Sequence, residues 1–587
     1  MVGAAFATCA GLIVLWGWQR TAPYVYQDEH IYGVLARSVG TGEGYSYQDL
    51  PVTAFKTLWP MLVAPAWAIF DGESAWRAAQ AINGMAWALT FLPAFALARR
   101  LASFWPALGI ATAATLAPAA VWAGQLMTEA MAYPLAATAL LCAVRLLEHP
   151  SAPRGAIALA VAAAAGTART QLLVMVPIVL LAVALDVARH GAGWRARLRS
   201  YKFIAAAAMV VAVAGLILLL AGRSSGLVGT YSGTIEAVDL GELVRYIVRY
   251  TAVMATAMAL LPFVVLVGLV VRRASWRDER VAPLLCVAVA AVVVFWVNGA
   301  WASASLSPEL RERYVFYPLP AVLALLPAVS DRVRPIVLAV VTAVVALYLV
   351  PVLPGLYGSA GEEFIQYQVN DVLVKLGVGD GGLLGRVNVW AVAVVSLAAA
   401  VLVVLRLRPR LPARLMVAAA IVPTMAMQLG ILFVRERDAN ATSATFAAAY
   451  PEPGDFVDRR IRGEAAFVRT PGTRQLARFH FELANTSLTR TWRAPGTEEF
   501  NGLGADCPLE VDGRGVLRAE RQWAAAASDP KRPCSGAALA RYLVFDDAAR
   551  TVVVRNGRLL FAEGPTRLYE LPSGVAPRID YGPPPEL

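Results

Sequence analysis

The stretch Tyr24–Tyr45, YVYQDEHIYGVLARSVGTGEGY, follows an apolar opening segment and places two adjacent carboxylates, Asp28 and Glu29, just beyond it. The chain around it is 587 residues long, 58% hydrophobic and 16% charged, with a mean hydropathy of +0.57. These values lie outside the range of soluble globular domains. Apolar runs of about 20 residues, the length that crosses a bilayer, recur from the N-terminus to Phe433. The chain therefore reads as a polytopic α-helical membrane protein whose first loop opens with Asp28 and Glu29.

Spans are expected near Val2–Trp18, Ala78–Leu97, Phe104–Trp122, Ala130–Leu147, Gly155–Thr167, Leu172–Val187 and Phe203–Leu220. Six more are expected near Thr251–Val271, Val281–Trp301, Val315–Val329, Pro335–Val352, Val389–Leu405 and Leu415–Phe433, about thirteen in all. Every second loop is basic: Arg99-Arg100, Arg145 with Arg154, RHGAGWRARLRSYK, RRASWRDER, DRVR and RLRPRLPAR fall on one side. Lys and Arg are retained on the cytoplasmic side, so that side is the cytoplasm. This puts the N-terminus inside a cell membrane, and the first loop and the tail outside it. The opening segment lacks a basic n-region and a small-residue cleavage site, so it reads as an uncleaved helix. The net charge of +11 then belongs to membrane-anchoring arginines, and no nucleic-acid partner is expected. Only four of the 52 Lys and Arg residues are lysine, a bias that fits GC-rich codons and a high-GC bacterium.

Two regions are expected: a membrane part, residues 1–434, and a soluble β-rich domain, residues 435–587. RQLARFHFELANTSL, RYLVFDDAARTVVVRNGRLLFAEG and TRLYEL alternate apolar and polar residues between turn signals, which reads as strands. Cys507 and Cys534 are the only tail cysteines, and on the oxidising side they are expected to pair. Sequon triplets at Asn440 and Asn485 carry little weight in a bacterium. The first loop, residues 20–77, also holds LWPMLVAPAWAIF, an apolar run too short to span. Such a run lies along the interface, re-enters, or simply extends the second span.

Charges inside apolar sequence are costly, so their positions are informative. Asp28 and Glu29 follow the first span, Glu129 opens the fourth in MTEAMAYPLA, Arg169 interrupts GTARTQ, and Arg311 and Arg313 with Tyr314 precede the tenth in RERYVFYPLP. Under the topology above, all lie near the outer ends of their helices. Carboxylates and guanidiniums at one level suit transfer of a sugar from a polyprenyl phosphate. The leaving phosphate needs charge neutralisation, which arginine supplies, and the acceptor hydroxyl needs a base, which a carboxylate supplies.

These motifs, with YQDEHIYGVLARSVGTGEGY and WRAAQAINGMAWALTFLPAFALARR, resemble the GT-C superfamily of lipid-linked-sugar glycosyltransferases. The resemblance covers most of the membrane part. It is strongest to the branch of protein O-mannosyltransferases and bacterial aminoarabinose transferases, actinobacterial members in particular. It implies a catalytic carboxylate at Asp28 with Glu29 beside it, a juxtamembrane helix over LWPMLVAPAWAIF, a second acidic position at Glu129, and an arginine-tyrosine element at Arg313-Tyr314 near the donor phosphate. Arg169 and Arg311 complete the expected substrate-binding set. The partners implied are a polyprenyl-phosphate-linked sugar, a glycan, lipid or protein acceptor of the cell envelope, and membrane lipid. No cofactor and no metal is required.

Other readings of the same residues stay open at this point. Asp28 and Glu29 suit a solvated helix start, Glu129 a structural ion pair, and Arg311 and Arg313 headgroup anchors. His30 with Asp49 could begin a metal site, although no metal-ligand spacing accompanies them. A transporter or flippase would place its charges near the midplane, often within internal repeats. An envelope polymer ligase acting on a polyprenyl-pyrophosphate donor would carry a large outward loop late in the chain.

Overall fold

The computed structural model describes residues 1–20, 27–47, 50–52, 57–207, 209, 239–257, 261–305, 312–328, 413–451, 454–474, 477–497, 507–511, 516–519, 540–548, 552–573 and 575–581. The helical part begins, in chain order, with α1 (Val2–Trp18), α2 (Gln27–Gly40), α3 (Leu58–Val63), α4 (Pro65–Ile69), α5 (Gly72–Ala88) and α6 (Phe91–Ala98). It continues with α7 (Phe104–Thr115), α8 (Glu129–Glu148), α9 (Ala152–Ala168), α10 (Met175–Arg189) and α11 (Trp194–Ser200). Contacts divide the chain into two compact units. The first holds Met1–Val14, Gly84–Ala123 and Thr128–Arg437, and the second Leu15–Asn83, Gly124–Met127 and Asp438–Leu587.

In the first unit, α8 packs against α9, α10 and the helix Ala282–Ser305, while α6 packs against α7 and α8. Alanine dominates these contacts: Ala136, Ala139 and Ala143 of α8 and Ala158, Ala162 and Ala165 of α9 are almost fully buried. Small residues let apolar helices approach closely, and close approach supplies the dispersion contacts that hold helices together in lipid.

Among the described residues, Gly72–Ala98, Glu129–Glu148, Thr170–Arg189 and Ala282–Ser305 are long and apolar enough to cross a membrane. A fifth span counts if the pair Phe104–Thr115 and Pro118–Gly124, bent by 57°, is one crossing. The expected count of about thirteen is therefore not reached by the described residues, and the spans at 335–352 and 389–405 lie outside them, as does most of 203–220. The span expected at Val315–Val329 is not one helix. A 3-10 turn at Glu312–Tyr314 precedes it, and within it lie a short helix Leu319–Leu323 and a 3-10 turn at Leu326–Ala328. Pro318, Pro320 and Pro327 remove helical N–H donors there and clash with the preceding turn. The apolar run of the first loop is helical throughout as α3 and α4, with Pro65 at the start of the second piece. The helix Ala413–Ala449 runs unbroken for 37 residues, passing through residue 434.

The second unit contains a seven-stranded sheet of β3 (Ala465–Arg469), β4 (Leu488–Arg493), β5 (Cys507–Val511), β6 (Leu517–Ala519), β7 (Tyr542–Asp546), β9 (Arg558–Glu563) and β10 (Thr566–Glu570), ordered β6-β5-β4-β3-β7-β10-β9. A ribbon of β8 (Val552–Val554) with β11 (Ile579–Tyr581) adds to one face, and the first loop carries a small ribbon of β1 (Ser46–Tyr47) and β2 (Leu50–Pro51). Strands β5, β4, β3 and β7 run parallel, with β6 and β10 antiparallel outside them. Strand alternation builds two cores. Ala466, Val468, Leu543 and Phe545 face β8 and β11, whereas Ala465, Phe467 and Val544 face the helix Ala477–Ala484.

That helix corrects the strand expected over RQLARFHFELANTSL, of which only the last residue, Leu488, is in a strand, as the first residue of β4. Parallel β3 and β4 cannot be joined by a hairpin and need a crossover, which is usually helical. Ala477 and Phe481, four residues apart, put its apolar side on the sheet. Cys534 lies outside the described residues, so the expected Cys507–Cys534 bridge does too; Cys9, Cys142 and Cys286 are free thiols.

Candidate active site

Three of the expected residues meet in the first unit. Glu129 is the first residue of α8, where a carboxylate also favours the positive end of the helix dipole. Arg169 is the C-terminal cap of α9, with extended backbone (φ −152°) that turns its side chain out of the helix run. Its Nη1 pairs with Glu129 Oε1 and donates to Thr128 Oγ1 at 3.1 Å, while its Nε donates to Gln171 Oε1 at 3.1 Å. Arg313, on the 3-10 turn Glu312–Tyr314, brings Nη1 to 3.7 Å from the same Glu129 oxygen. The three side chains together carry a charge of +1. Glu129 and Arg313 are buried, with relative exposures of 3% and 5%, and Arg169 is largely buried at 12%.

Aromatic rings wall this group. The Arg313 guanidinium lies 5.4 Å from the Trp122 ring centroid and 5.7 Å from that of Tyr314, over which Arg169 also sits at 5.7 Å. Behind them, Trp87 stacks on Tyr133 at 4.5 Å, and Tyr317 packs against Tyr133 and Phe295. Rings of this kind hold guanidiniums by cation–π attraction while lowering the local dielectric, which strengthens any charge interaction inside. Arg311 lies outside the described residues.

Asp28 and Glu29 occupy the first turn of α2 in the second unit. Their environments differ. Glu29 is 1% exposed and its Oε1 accepts the Leu126 backbone N–H at 3.0 Å, whereas Asp28 is half-buried. Segment Gly124–Met127 is also gripped by Gln80, which donates to the Gly124 carbonyl at 3.0 Å, and by Asn83, which donates to that of Gln125 at 2.5 Å. Asn83 in turn accepts from Trp59 Nε1 of α3. Glu29 thus belongs to a set of buried polar side chains that hold the Gly124–Leu126 backbone.

The next residue, His30, points to the sheet region. Its Nε2 lies 2.5 Å from Glu482 Oε2 in the helix Ala477–Ala484. Glu482 also accepts from Tyr47 Oη at 3.0 Å, from Thr491 Oγ1 at 2.6 Å and from Arg478 Nε at 3.2 Å. Arg37, one face of α2 further on, donates to the Glu482 and Asn485 carbonyls. Burial pushes the His30 imidazole below its ordinary value, more than the facing Glu482 raises it. Burial would raise the Glu482 carboxyl, but Arg478, His30 and Thr491 hold it well below the usual carboxylate range. Asn485, the second sequon, is buried and occupied: its Oδ1 accepts from the Val457 and Asp458 N–H groups. The residues that sequence reading missed are therefore Tyr47, Glu482, Thr491 and Arg37. Only the i,i+4 pair Arg478 and Glu482 left a local signal.

Among the described residues, no group of three or more His, Cys, Asp and Glu side chains could hold a metal ion. Asp49, the partner considered for His30, lies outside them.

The arrangement is that of apolar helices of membrane-crossing length, a helical first loop and a mixed-sheet terminal region, with buried ionic clusters around Glu129 and around Glu482. Among solved structures it is similar to ArnT from Cupriavidus metallidurans bound to undecaprenyl phosphate, with a TM-score of 0.54 at 14% identity over 99% of this chain and 98% of that one. The apo form of the same protein matches with a TM-score of 0.50 at 15% identity, covering 96% of each chain. The archaeal oligosaccharyltransferase AglB from Archaeoglobus fulgidus aligns with a TM-score of 0.40 at 11% identity, over 92% of this chain and 69% of that one. No family model and no curated protein sequence matches. The likeness to ArnT is one of fold, and it extends over nearly the whole length of both chains.

Proposed function

We propose that this chain is an inverting glycosyltransferase of the GT-C type, moving a sugar from a polyprenyl-phosphate donor to a cell-envelope acceptor on the outer face of the membrane. The observation that carries the reading is the meeting of Arg169 and Arg313 around Glu129 at the head of α8, in a chain with the fold of ArnT. The ArnT structure is bound to undecaprenyl phosphate, a lipid with a single anionic head. Two buried guanidiniums against one carboxylate suit such a head: arginine offers paired donors to phosphate oxygens, and Glu129 keeps the pair oriented and partly neutralised before the lipid arrives.

In this scheme the acceptor hydroxyl attacks the anomeric carbon as its proton passes to Asp28. The carbon–oxygen bond to phosphate breaks, and the lipid phosphate leaves with the electron pair, stabilised by Arg169 and Arg313. Attack opposite the leaving group inverts the anomeric centre. Asp28 takes the role of base because its side chain is the least buried of the three at the start of α2. Glu29, expected beside it as a second catalytic carboxylate, becomes a positioning residue through its bond to Leu126. Tyr314 orients both guanidiniums. No metal enters. Residues 1–434 form the catalytic membrane part with the N-terminus in the cytoplasm, and residues 435–587 lie outside.

The test is release of free polyprenyl phosphate from a panel of polyprenyl-phosphate sugars by the purified protein and by Asp28→Asn, with envelope extract as acceptor. Asp28-dependent release from one donor supports the reading and names the sugar. No release from any donor, by protein of unchanged thermal stability, overturns it in favour of transport or a pyrophosphate-linked donor.

A further inference from the structure

At the C-terminal end of α10, opposite in chain direction to the Arg169 end of the Thr170–Arg189 span, a further ionic cluster has no part in the proposed reaction. Asp186 is completely buried and accepts from Arg189 Nε at 2.7 Å, Arg197 Nε at 2.6 Å and Tyr201 Oη at 2.7 Å. Arg197 also donates to the Leu147 carbonyl of α8. This hub pins α11 and the residues that follow it across the end of α10. Between them runs an apolar groove of about 580 Å³, lined by Leu180, Val183, Val187, Trp194, Leu198 and Ile204 among others.

The helix bordering the groove is two-faced. Trp194, Leu198 and Tyr201 recur at i, i+4 and i+7 and line the groove. Arg195, Arg199 and Lys202 form the adjacent stripe, one residue on in each case, and all three are exposed. Unlike Arg189 and Arg197, they stand outside the Asp186 hub. Trp194 and Phe203 are exposed as well, at 44% and 39%, as aromatic residues are at a membrane–water boundary. A cationic stripe beside an apolar trough, at the end of a span-length helix, matches one kind of molecule: an anionic headgroup attached to an acyl chain.

We propose that this groove is a binding site for an anionic glycerophospholipid of the leaflet on the basic-loop side, the cytoplasmic leaflet by loop charge. An acyl chain lies in the trough along α10, and the phosphate engages Arg195, Arg199 and Lys202. The site is independent of the glycosyltransfer reading, since it shares no residue with it.

The test is native mass spectrometry of the full chain released from detergent with phosphatidylglycerol or phosphatidylcholine of identical acyl chains. Phosphatidylglycerol is expected to bind ten- to a hundredfold more tightly. The triple change R195Q/R199Q/K202Q should abolish that preference without altering phosphatidylcholine binding, thermal stability or polyprenyl-phosphate binding. Val187→Trp, which fills the trough, should weaken both phospholipids. Equal binding of the two phospholipids by the wild type, or an unchanged preference in the triple variant, would overturn the proposal. If the triple variant does not fold, Arg199→Gln alone gives the same reading at a smaller fold-change.

Discussion

Glu129 and Glu482 are both buried carboxylates facing arginine, yet their surroundings are built for different ends. Glu482 is saturated. His30, Tyr47, Thr491 and Arg478 approach its two oxygens, and Arg37 is spent on backbone carbonyls beside it. Glu129 is shared between two guanidiniums, one closely paired and one at 3.7 Å, inside a wall of tryptophan and tyrosine rings. A carboxylate whose acceptor sites are filled by donors of the same unit holds structure together. A carboxylate shared between one close arginine and one more distant arginine keeps both at one place, and in the proposed reaction a phosphate oxygen is the third party.

The comparison can be broken or sharpened experimentally. The largest effect is expected at Asp28, which stands at the start of the helix that Glu482 helps to hold. Asp28→Asn should lower kcat by about 10² to 10⁴ while leaving donor affinity and folding intact, measured by steady-state polyprenyl phosphate release. Next comes Glu482→Ala, which strands buried Arg478 without its counter-charge. A loss of about 3–5 kcal/mol in the stability of the second unit is expected, read as a lower Tm, with donor affinity in the surviving folded fraction unchanged. Arg313→Ala should cost about 1.5–3 kcal/mol of donor binding, the worth of a charged hydrogen bond, with little change in Tm.

The smallest expected effect is on pH. His480 stacks on Tyr450 at 4.8 Å, and burial, with Arg474 nearby, lowers its pKa to about 4. The unfolded chain then takes up a proton before the folded one does. Stability is fully present above the ordinary histidine value of about 6.5 and is lost as pH falls from there towards about 4, by roughly 3 kcal/mol. Glu482, held low in the folded chain, adds to the loss in the lower part of that window, because its carboxyl in the unfolded chain takes up a proton as pH falls through the ordinary value of about 4.3. Thermal melts of wild type and His480→Phe between pH 7 and 4 check this: the slope should flatten in the variant.

The Glu129 cluster was legible in the sequence and the Glu482 cluster was not, for a physical reason. In an apolar background each charge is costly, so Glu129, Arg169 and Arg313 stood out individually, and the helix ends they occupy brought them together. In the polar tail a carboxylate is ordinary, and nothing at Glu482 announced that His30, some 450 positions earlier, would reach it. The segment Ala477–Ala484 reads as strand in the sequence because an eight-residue helix shows little periodicity. It was the parallel pairing of β3 with β4, a non-local fact, that required a crossover there. The broken segment after Tyr314 was foreshadowed by Pro318, Pro320 and Pro327, which outweigh the hydropathy that suggested a span.

The most direct test of the contrast between the two carboxylates is polyprenyl-phosphate affinity and Tm measured side by side for wild type, Arg313→Ala, Arg169→Ala and Glu482→Gln. The expected result is at least tenfold weaker binding in the two arginine variants, with Tm nearly unchanged in Arg313→Ala, where Arg169 still pairs with Glu129, and the reverse pattern in Glu482→Gln. Wild-type affinity in both arginine variants would contradict the account.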